Sequence, residues 1–381
     1  MTAAALLSSF RLPALELPNR VVMAPMTRSR ASREGVIGPH AARYYAQRAS
    51  AGLIVTEAIG VSAQAHGYPF TPGLWTQAQE AAWREVVERV HAAGGRIVAQ
   101  LWHVGRVFST LNNPAGLDAV APSPVAAEGR IYTPEGLQPL PVPRPLSVEE
   151  VRATVADFAR TAARALALGF DMVELHAANG YLIEQFLSDD ANRRKDAYGG
   201  SRTRRLTFLA EILDAAAQTC GGLSRIGARI SPFGDFNGLR YGDPAAAMAD
   251  VVDLLAANGV AYLHVIEPEV SGDGSREAAL KTAAPDVLAG ARARFPGALI
   301  AAGGYDRARA ETAVRAGRAD LVAFGRPFIS NPDLIERLRD DVPLAPWDRR
   351  TFYTRGPEGY VDYPFRDGSL DVHAPATCRQ T

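Results

Sequence analysis

Cysteine and lysine are nearly missing from this chain. Cys220 and Cys378 are the only thiols among 381 residues, far apart and each without a neighbouring thiol. That excludes a disulfide framework, a CxxC zinc site and a cysteine-held iron–sulfur cluster, and it fits a reducing compartment. Lys195 and Lys281 are the only lysines. Neither stands at the end of an apolar β-type run, which disfavours Schiff-base chemistry. An excess of one charge is missing too: 41 Lys and Arg balance 41 Asp and Glu. With no basic block or basic–aromatic stripe, neither nucleic acid nor anionic lipid has an obvious attraction, and a small-molecule partner is expected. No apolar run approaches the roughly twenty residues needed to cross a bilayer. The apolar patch Ala3–Leu7 has no basic segment before it and no cleavage site after it, so the expectation is a cytoplasmic protein without a signal peptide.

What is present is ample material for a core, with 47% hydrophobic and 22% charged residues, the ordinary range for a globular protein. Eight β-rich runs recur: 21–24, 53–56, 97–101, 170–175, 226–230, 262–266, 298–302 and 320–324. Between them lie Ala- and Arg-rich segments of helical period, at 78–93, 148–168, 204–219, 244–258, 307–316 and 332–338. Continuous apolar strands alternating with amphipathic helices imply parallel pairing with the helices outside. Eight units are the number that closes an α/β barrel. The spacing therefore predicts a (β/α)8 TIM barrel in one domain over residues 1–381. Two segments break the rhythm. Residues 103–145 are rich in Pro and Gly with little periodicity and read as a long structureless capping loop. The tail 343–381 is turn-rich and aromatic, with Trp347, Phe352, Tyr353, Tyr360 and Phe365, and is expected to fold back over the barrel.

Barrels place their chemistry at the C-terminal ends of the strands. The first run ends in Ala24-Pro25-Met26-Thr27-Arg28, the second in Glu57-Ala58, the third in Gln100-Leu101-Trp102-His103, and the fourth in His176-Ala177-Ala178-Asn179-Gly180-Tyr181. An imidazole and an amide three residues apart can grip one oxygen while a phenol faces the neighbouring atom, which suits polarising a carbonyl and delivering a proton beside it. The alternative is that His176 and Asn179 cap the following helix while Tyr181 packs beneath it. Gly303-Gly304 after run seven and Gly325-Arg326 after run eight suggest a phosphate site, with close backbone approach and a guanidinium for the anion; the alternative is plain turn glycines and a solvated charge. Arg229 and Gln100 sit inside apolar runs, where each needs a polar partner. A heteroaromatic ring edge would serve both, and so would an internal network with Glu57 or Glu174.

Five segments together resemble the motifs of the Old Yellow Enzyme family of FMN-dependent ene-reductases, in that family's order: 24–28, Gln100–Arg106, His176–Leu182, Asp196–Ser201 and Phe324–Pro327. The resemblance covers nearly the whole chain. It implies non-covalent FMN on the strand ends, with Pro25, Met26, Thr27, Ala58, Gln100 and Arg229 around the isoalloxazine. Gly303, Gly304, Gly325 and Arg326 would hold its phosphate. His176 and Asn179 would bind the activating oxygen, Tyr181 would donate the proton, Thr27 would tune the flavin, and Trp102 and Tyr353 would line the substrate pocket. The implied reaction takes hydride from NADPH or NADH and reduces activated C=C bonds in enones, enals, nitroalkenes or nitro compounds. A nitrate-ester or nitroaromatic reductase on the same scaffold remains as an alternative. From other classes, so do a phosphate-binding aldolase or isomerase and a flavin-binding protein without turnover. No metal is expected, and monomer and homo-oligomer are both left open.

Overall fold

The computed structural model describes residues 4–268, 270–271, 274–275 and 286–370, so Lys281, Cys378 and the tail beyond residue 370 lie outside the described residues. Eight strands follow one another in parallel: β1 (Val21–Met23), β2 (Leu53–Val55), β3 (Ile97–Trp102), β4 (Met172–Ala177), β5 (Ile226–Ile230), β6 (Tyr262–Ile266), β7 (Ala298–Ala302) and β8 (Leu321–Phe324). Each pairs with the next, and β8 pairs with β1, so the sheet closes on itself as a (β/α)8 barrel.

The strands carry apolar runs because both of their faces are covered. Alternate residues serve two separate cores, as the two-residue period of a strand requires. Val22, Leu53, Val55, Val98, Met172, Tyr262, Ile300 and Leu321 fill the barrel interior. Their neighbours Val21, Ile54, Ile97, Val173, Ile226 and Leu299 face the helices. Leu12 and Leu17, from the N-terminal hairpin Phe10–Leu12/Leu15–Leu17, join the interior cluster beside the starts of the strands. One end of the barrel is thereby plugged, which leaves the opposite rim for chemistry.

The helix over Val148–Leu168 runs as its period predicts, started by a capping box between Ser147 and Glu150. The segment expected as one helix over 204–219 is two, Arg202–Arg205 and Thr207–Cys220. Ala41–Ala46, Leu182–Leu187, Val287–Arg292 and Arg326–Ser330 are helices that the periodicity did not reveal. At five or six residues' length an element completes too few turns to display a period of 3.6.

The expectation of a structureless 103–145 loop needs correction. Arg130–Thr133 pairs antiparallel with Gly136–Pro139, and Val120–Ala121 pairs in parallel with Arg144–Pro145. The hairpin escaped the pattern because its strands are mostly exposed, so neither carries an apolar alternation. The tail does fold back, and its Tyr360 is buried with its ring stacked 4.0 Å from that of Tyr44.

Candidate active site

Strand register lines up the polar residues of the barrel interior. His176 on β4 stands opposite Arg229 on β5, and Arg229 stands opposite His264 on β6. One layer below, Glu174 stands opposite Gln100 on β3 and Gly227 on β5. The buried Glu174 carboxylate accepts from Gln100 Nε2 at 2.7 Å and the Tyr262 hydroxyl at 3.1 Å, and it lies 2.9 Å from His264 Nδ1. Gly227 makes room for this network, since a Cβ there would stand 2.2 Å from the Tyr262 ring. Burial alone would raise Glu174, but His264, Arg229 and Gln100 hold it below the usual carboxylate range. Gln100 thus takes part in the internal network that the sequence had left as its alternative.

Arg229 is also buried, which weighs against its charge, while the nearby Glu174 favours it. Its Nε has no hydrogen-bond partner. A buried guanidinium with an N–H that no protein group satisfies fits an electron-rich ligand edge, and an isoalloxazine has one. The same holds for His176 Nδ1, which is buried and without a partner.

Beyond β4 the chain makes a tight turn. Asn179 and Gly180 both take left-handed backbone angles, with φ of 58° and 74°, and a Cβ on Gly180 would stand 2.5 Å from the Phe236 carbonyl oxygen. Tyr181 is the N-cap residue of Leu182–Leu187 and makes no side-chain cap. Neither His176 nor Asn179 caps that helix, so the capping alternative falls. Instead the side chains build an aromatic box. Tyr181 stands edge-on to Trp102 at 4.8 Å and to His176 at 5.1 Å, while Tyr68 stacks on Trp102 at 5.6 Å.

Desolvation sets the protonation states in this box. Burial, with help from Arg229, lowers His176 to about 3, so its imidazole is neutral at physiological pH. Burial and the neighbouring Tyr68 hydroxyl push Tyr181 well above an ordinary phenol. Tyr68 rises to about 12 for the same chief reason, burial. The Asn237 side chain sits beside both hydroxyls. Tyr68 and Asn237 belong to this site, yet sequence reading did not find them. Tyr68 lies in a loop and Asn237 in the short 3-10 turn Phe236–Gly238, and neither ends an apolar strand run. Tyr353 is half exposed on the tail and lies near Tyr68 and Tyr181.

The remaining positions ring the same rim. Pro25, Met26 and Thr27 are half-buried after β1, and Ala58 is buried after β2. Gly303 and Gly304 follow β7. Gly303 lies so close to Glu267 that a Cβ would stand 2.7 Å from its carboxylate. Gly325 follows β8 near Met26, and the Arg326 guanidinium lies 5.3 Å from the Trp347 ring centre. The latter is a cation–π contact with the tail rather than a freely solvated charge. Among the described residues there is no cluster of His, Cys, Asp and Glu able to hold a metal ion.

The sequence pattern of the NADH:flavin oxidoreductase / NADH oxidase family, an FMN-dependent family, matches residues 6–345. The chain belongs to that family. Within it this flavin oxidoreductase is an Old Yellow Enzyme homologue. It is 43% identical to putative 12-oxophytodienoate reductase 4 of Oryza sativa subsp. japonica, over 95% of this chain and 93% of that protein. It is 42% identical to 12-oxophytodienoate reductase 2 of Arabidopsis thaliana, over 94% and 95%. Among solved structures it resembles morphinone reductase, at 45% identity and a TM-score of 0.88 over 96% and 97% of the two chains. It also resembles the old yellow enzyme homologue from Zymomonas mobilis, at 39% identity and a TM-score of 0.90 over 95% and 99%. A morphinone reductase structure carries tetrahydroNAD, which accords with a nicotinamide reductant. No helix among the described residues is long and apolar enough to cross a membrane.

Proposed function

We propose that this flavin oxidoreductase is an ene-reductase, reducing the C=C bond of α,β-unsaturated carbonyl or nitro compounds at the expense of NADPH or NADH. The observation that carries the reading is the facing of a neutral His176 and a protonated Tyr181 across 5.1 Å in a buried aromatic box. FMN would be held by Pro25, Met26, Thr27, Ala58, Gln100 and Arg229 at its ring and by Gly303, Gly304, Gly325 and Arg326 at its phosphate, and it would supply the two-electron hydride chemistry that links the nicotinamide to the alkene. Arg229 would contribute positive charge beside that ring, and Thr27 would offer it a hydroxyl.

His176 and Asn179 donate hydrogen bonds to the carbonyl or nitro oxygen, where negative charge accumulates as the β-carbon receives hydride. Their part is electrostatic, since a neutral imidazole and an amide stabilise charge without taking up a proton. Tyr181 gives its proton to the α-carbon, which balances the addition of H⁻ and H⁺ across the double bond. Its raised pKa keeps that proton in place until a carbanion-like carbon demands it. Trp102 and Tyr68 form the wall that excludes water, and Tyr353 on the tail borders the substrate. The even charge and scarce thiols support a cytoplasmic enzyme built as one domain on a small-molecule substrate.

The test is the absorbance of the purified protein, followed anaerobically through addition of NADPH, or NADH in parallel, and then cyclohexenone. Flavin bands that bleach with the nicotinamide and return with the enone are expected. A protein that binds FMN and is reduced, yet stays reduced in the presence of enones and nitroalkenes, would overturn the reading.

A further inference from the structure

Glu184 lies in the first turn of Leu182–Leu187, is buried, and has no part in the reaction as described. Its carboxylate reaches back under the left-handed turn. Oε2 accepts from the Gly180 N–H at 2.6 Å, and Oε1 accepts from the Ser231 hydroxyl at 3.0 Å. Ser231 Oγ in turn accepts from the Asn179 N–H at 2.9 Å. The two carbonyls of the turn are held as well: Asn237 Nδ2 donates to Asn179 O at 2.8 Å, and Gln185 Nε2 donates to Gly180 O at 2.8 Å. All four backbone groups of Asn179 and Gly180 are therefore satisfied by side chains.

We propose that Glu184, acting directly on Gly180 and through Ser231 on Asn179, is a positioning residue that fixes where the Asn179 amide meets the substrate oxygen. The inference rests on the oxygen-binding role assigned to Asn179 above. The physical reason is that this turn has no ladder of its own. Buried N–H groups without partners are costly, and a non-glycine residue at positive φ carries strain of about 1–3 kcal/mol unless its surroundings hold it there. A carboxylate that takes the Gly180 N–H directly and the Asn179 N–H through Ser231 provides that hold from one side, while Asn237 and Gln185 provide it from the other. Because Ser231 directly follows β5, the brace also ties the turn after β4 to the neighbouring strand. Loss of the brace frees the Asn179 backbone to rotate, and a hydrogen-bond donor displaced by about 1 Å loses much of its effect.

The experiment uses FMN-loaded enzyme with Glu184→Gln and Ser231→Ala, each in wild-type and Asn179→Ala backgrounds. Binding of para-chlorophenol is followed by its long-wavelength charge-transfer band, and amide hydrogen exchange is followed over residues 176–187. Each brace variant should weaken phenol binding roughly 10- to 100-fold with FMN content intact. Each should speed exchange at Asn179 and Gly180, and each should cause no further loss of phenol binding once Asn179 is already Ala. Equal losses in both backgrounds would overturn the proposal, as would unchanged exchange in both brace variants. Ser231→Ala serves as the milder variant if Glu184→Gln folds poorly. If the wild-type holoenzyme itself binds no phenol, the proposed function fails instead, and amide exchange alone then judges the brace.

Discussion

The turn after β4 and the tail over the rim both border the candidate substrate pocket, but they are built in different ways. The turn gathers His176, Asn179 and Tyr181 within six residues on the end of one strand, so its chemistry is local in sequence. The tail is held from far away. Arg30 donates to Gly356 O at 3.0 Å, Phe352 O at 3.1 Å, Thr351 O at 3.0 Å and Glu358 O at 2.6 Å. Arg28 donates to Phe352 O at 3.2 Å and Gly359 O at 2.7 Å. The Arg28 guanidinium also lies beside the stacked pair of Tyr44 and Tyr360, 5.1 and 5.2 Å from their ring centres. Both arginines lie within three residues after the Pro25–Thr27 segment proposed to contact the flavin. One region therefore carries the proposed reacting groups on a short turn at one strand end, while the other carries a single proposed bordering residue, Tyr353, on a strap secured by its backbone. Damage to the turn should be felt in chemistry, and damage to the strap chiefly in stability.

The sharpest test of that contrast is His176→Ala combined with Asn179→Ala. Phenol binding and its charge-transfer band should vanish, and enone kcat/KM should fall by about 10³-fold, while the denaturation midpoint of the holoenzyme stays near wild type. Retention of the band would break the turn's side of the comparison. Tyr181→Phe comes next. Reduction by NADPH should persist, while enone turnover should slow by about 10²-fold, as separated by stopped-flow measurement of the two half-reactions. Equal slowing of both halves would mean that Tyr181 shapes the pocket rather than supplying the proton.

On the strap's side, Arg30→Ala should cost about 2–3 kcal/mol in denaturant unfolding, because it removes charge-assisted bonds and leaves buried carbonyls unpaired. Limited proteolysis should then cut between residues 346 and 365, with reduction by NADPH little changed. A variant that lost turnover at full stability would show that the strap acts in chemistry after all.

A pH dependence separates two buried carboxyls, one in each region. Burial raises Glu57, which faces Arg28, Arg30 and Tyr45, to about 7, and it raises Glu184 to about 7 as well. Both values lie above the ordinary 4.5. Between about pH 4.5 and 7 the folded chain keeps these protons while the unfolded chain has released them. Stability is therefore greatest below that window and is lost as pH rises through it, by on the order of 1 kcal/mol per group and pH unit. Glu57→Gln should remove about half of this slope, measured as the denaturation midpoint against pH. An unchanged slope would show that Glu57 does not titrate there.

The barrel was legible because its signal repeats. Eight apolar runs each have both faces covered, and strand ends with polar residues fall at regular intervals, so period and spacing suffice to place β5, β6, β7 and the helix Val148–Leu168 at their observed bounds. His176, Tyr181 and Arg229 could be picked out because a titratable side chain interrupts or ends an apolar run. Tyr68, Asn237 and Ser231 had no such mark, since each meets partners far away in sequence, and Glu184 stood out no more than any polar residue of a short helix. The strap was foreseeable as a covering tail from its aromatic residues, but not its fastening, because Arg28 and Arg30 grip carbonyl oxygens, which every residue possesses. The groups proposed to do chemistry were thus marked by the order of residues along the strands. Where Asn179 is held, which hydroxyls face Tyr181 and what anchors Tyr353 were decided only when the closed barrel brought distant backbone and side-chain groups within hydrogen-bond range.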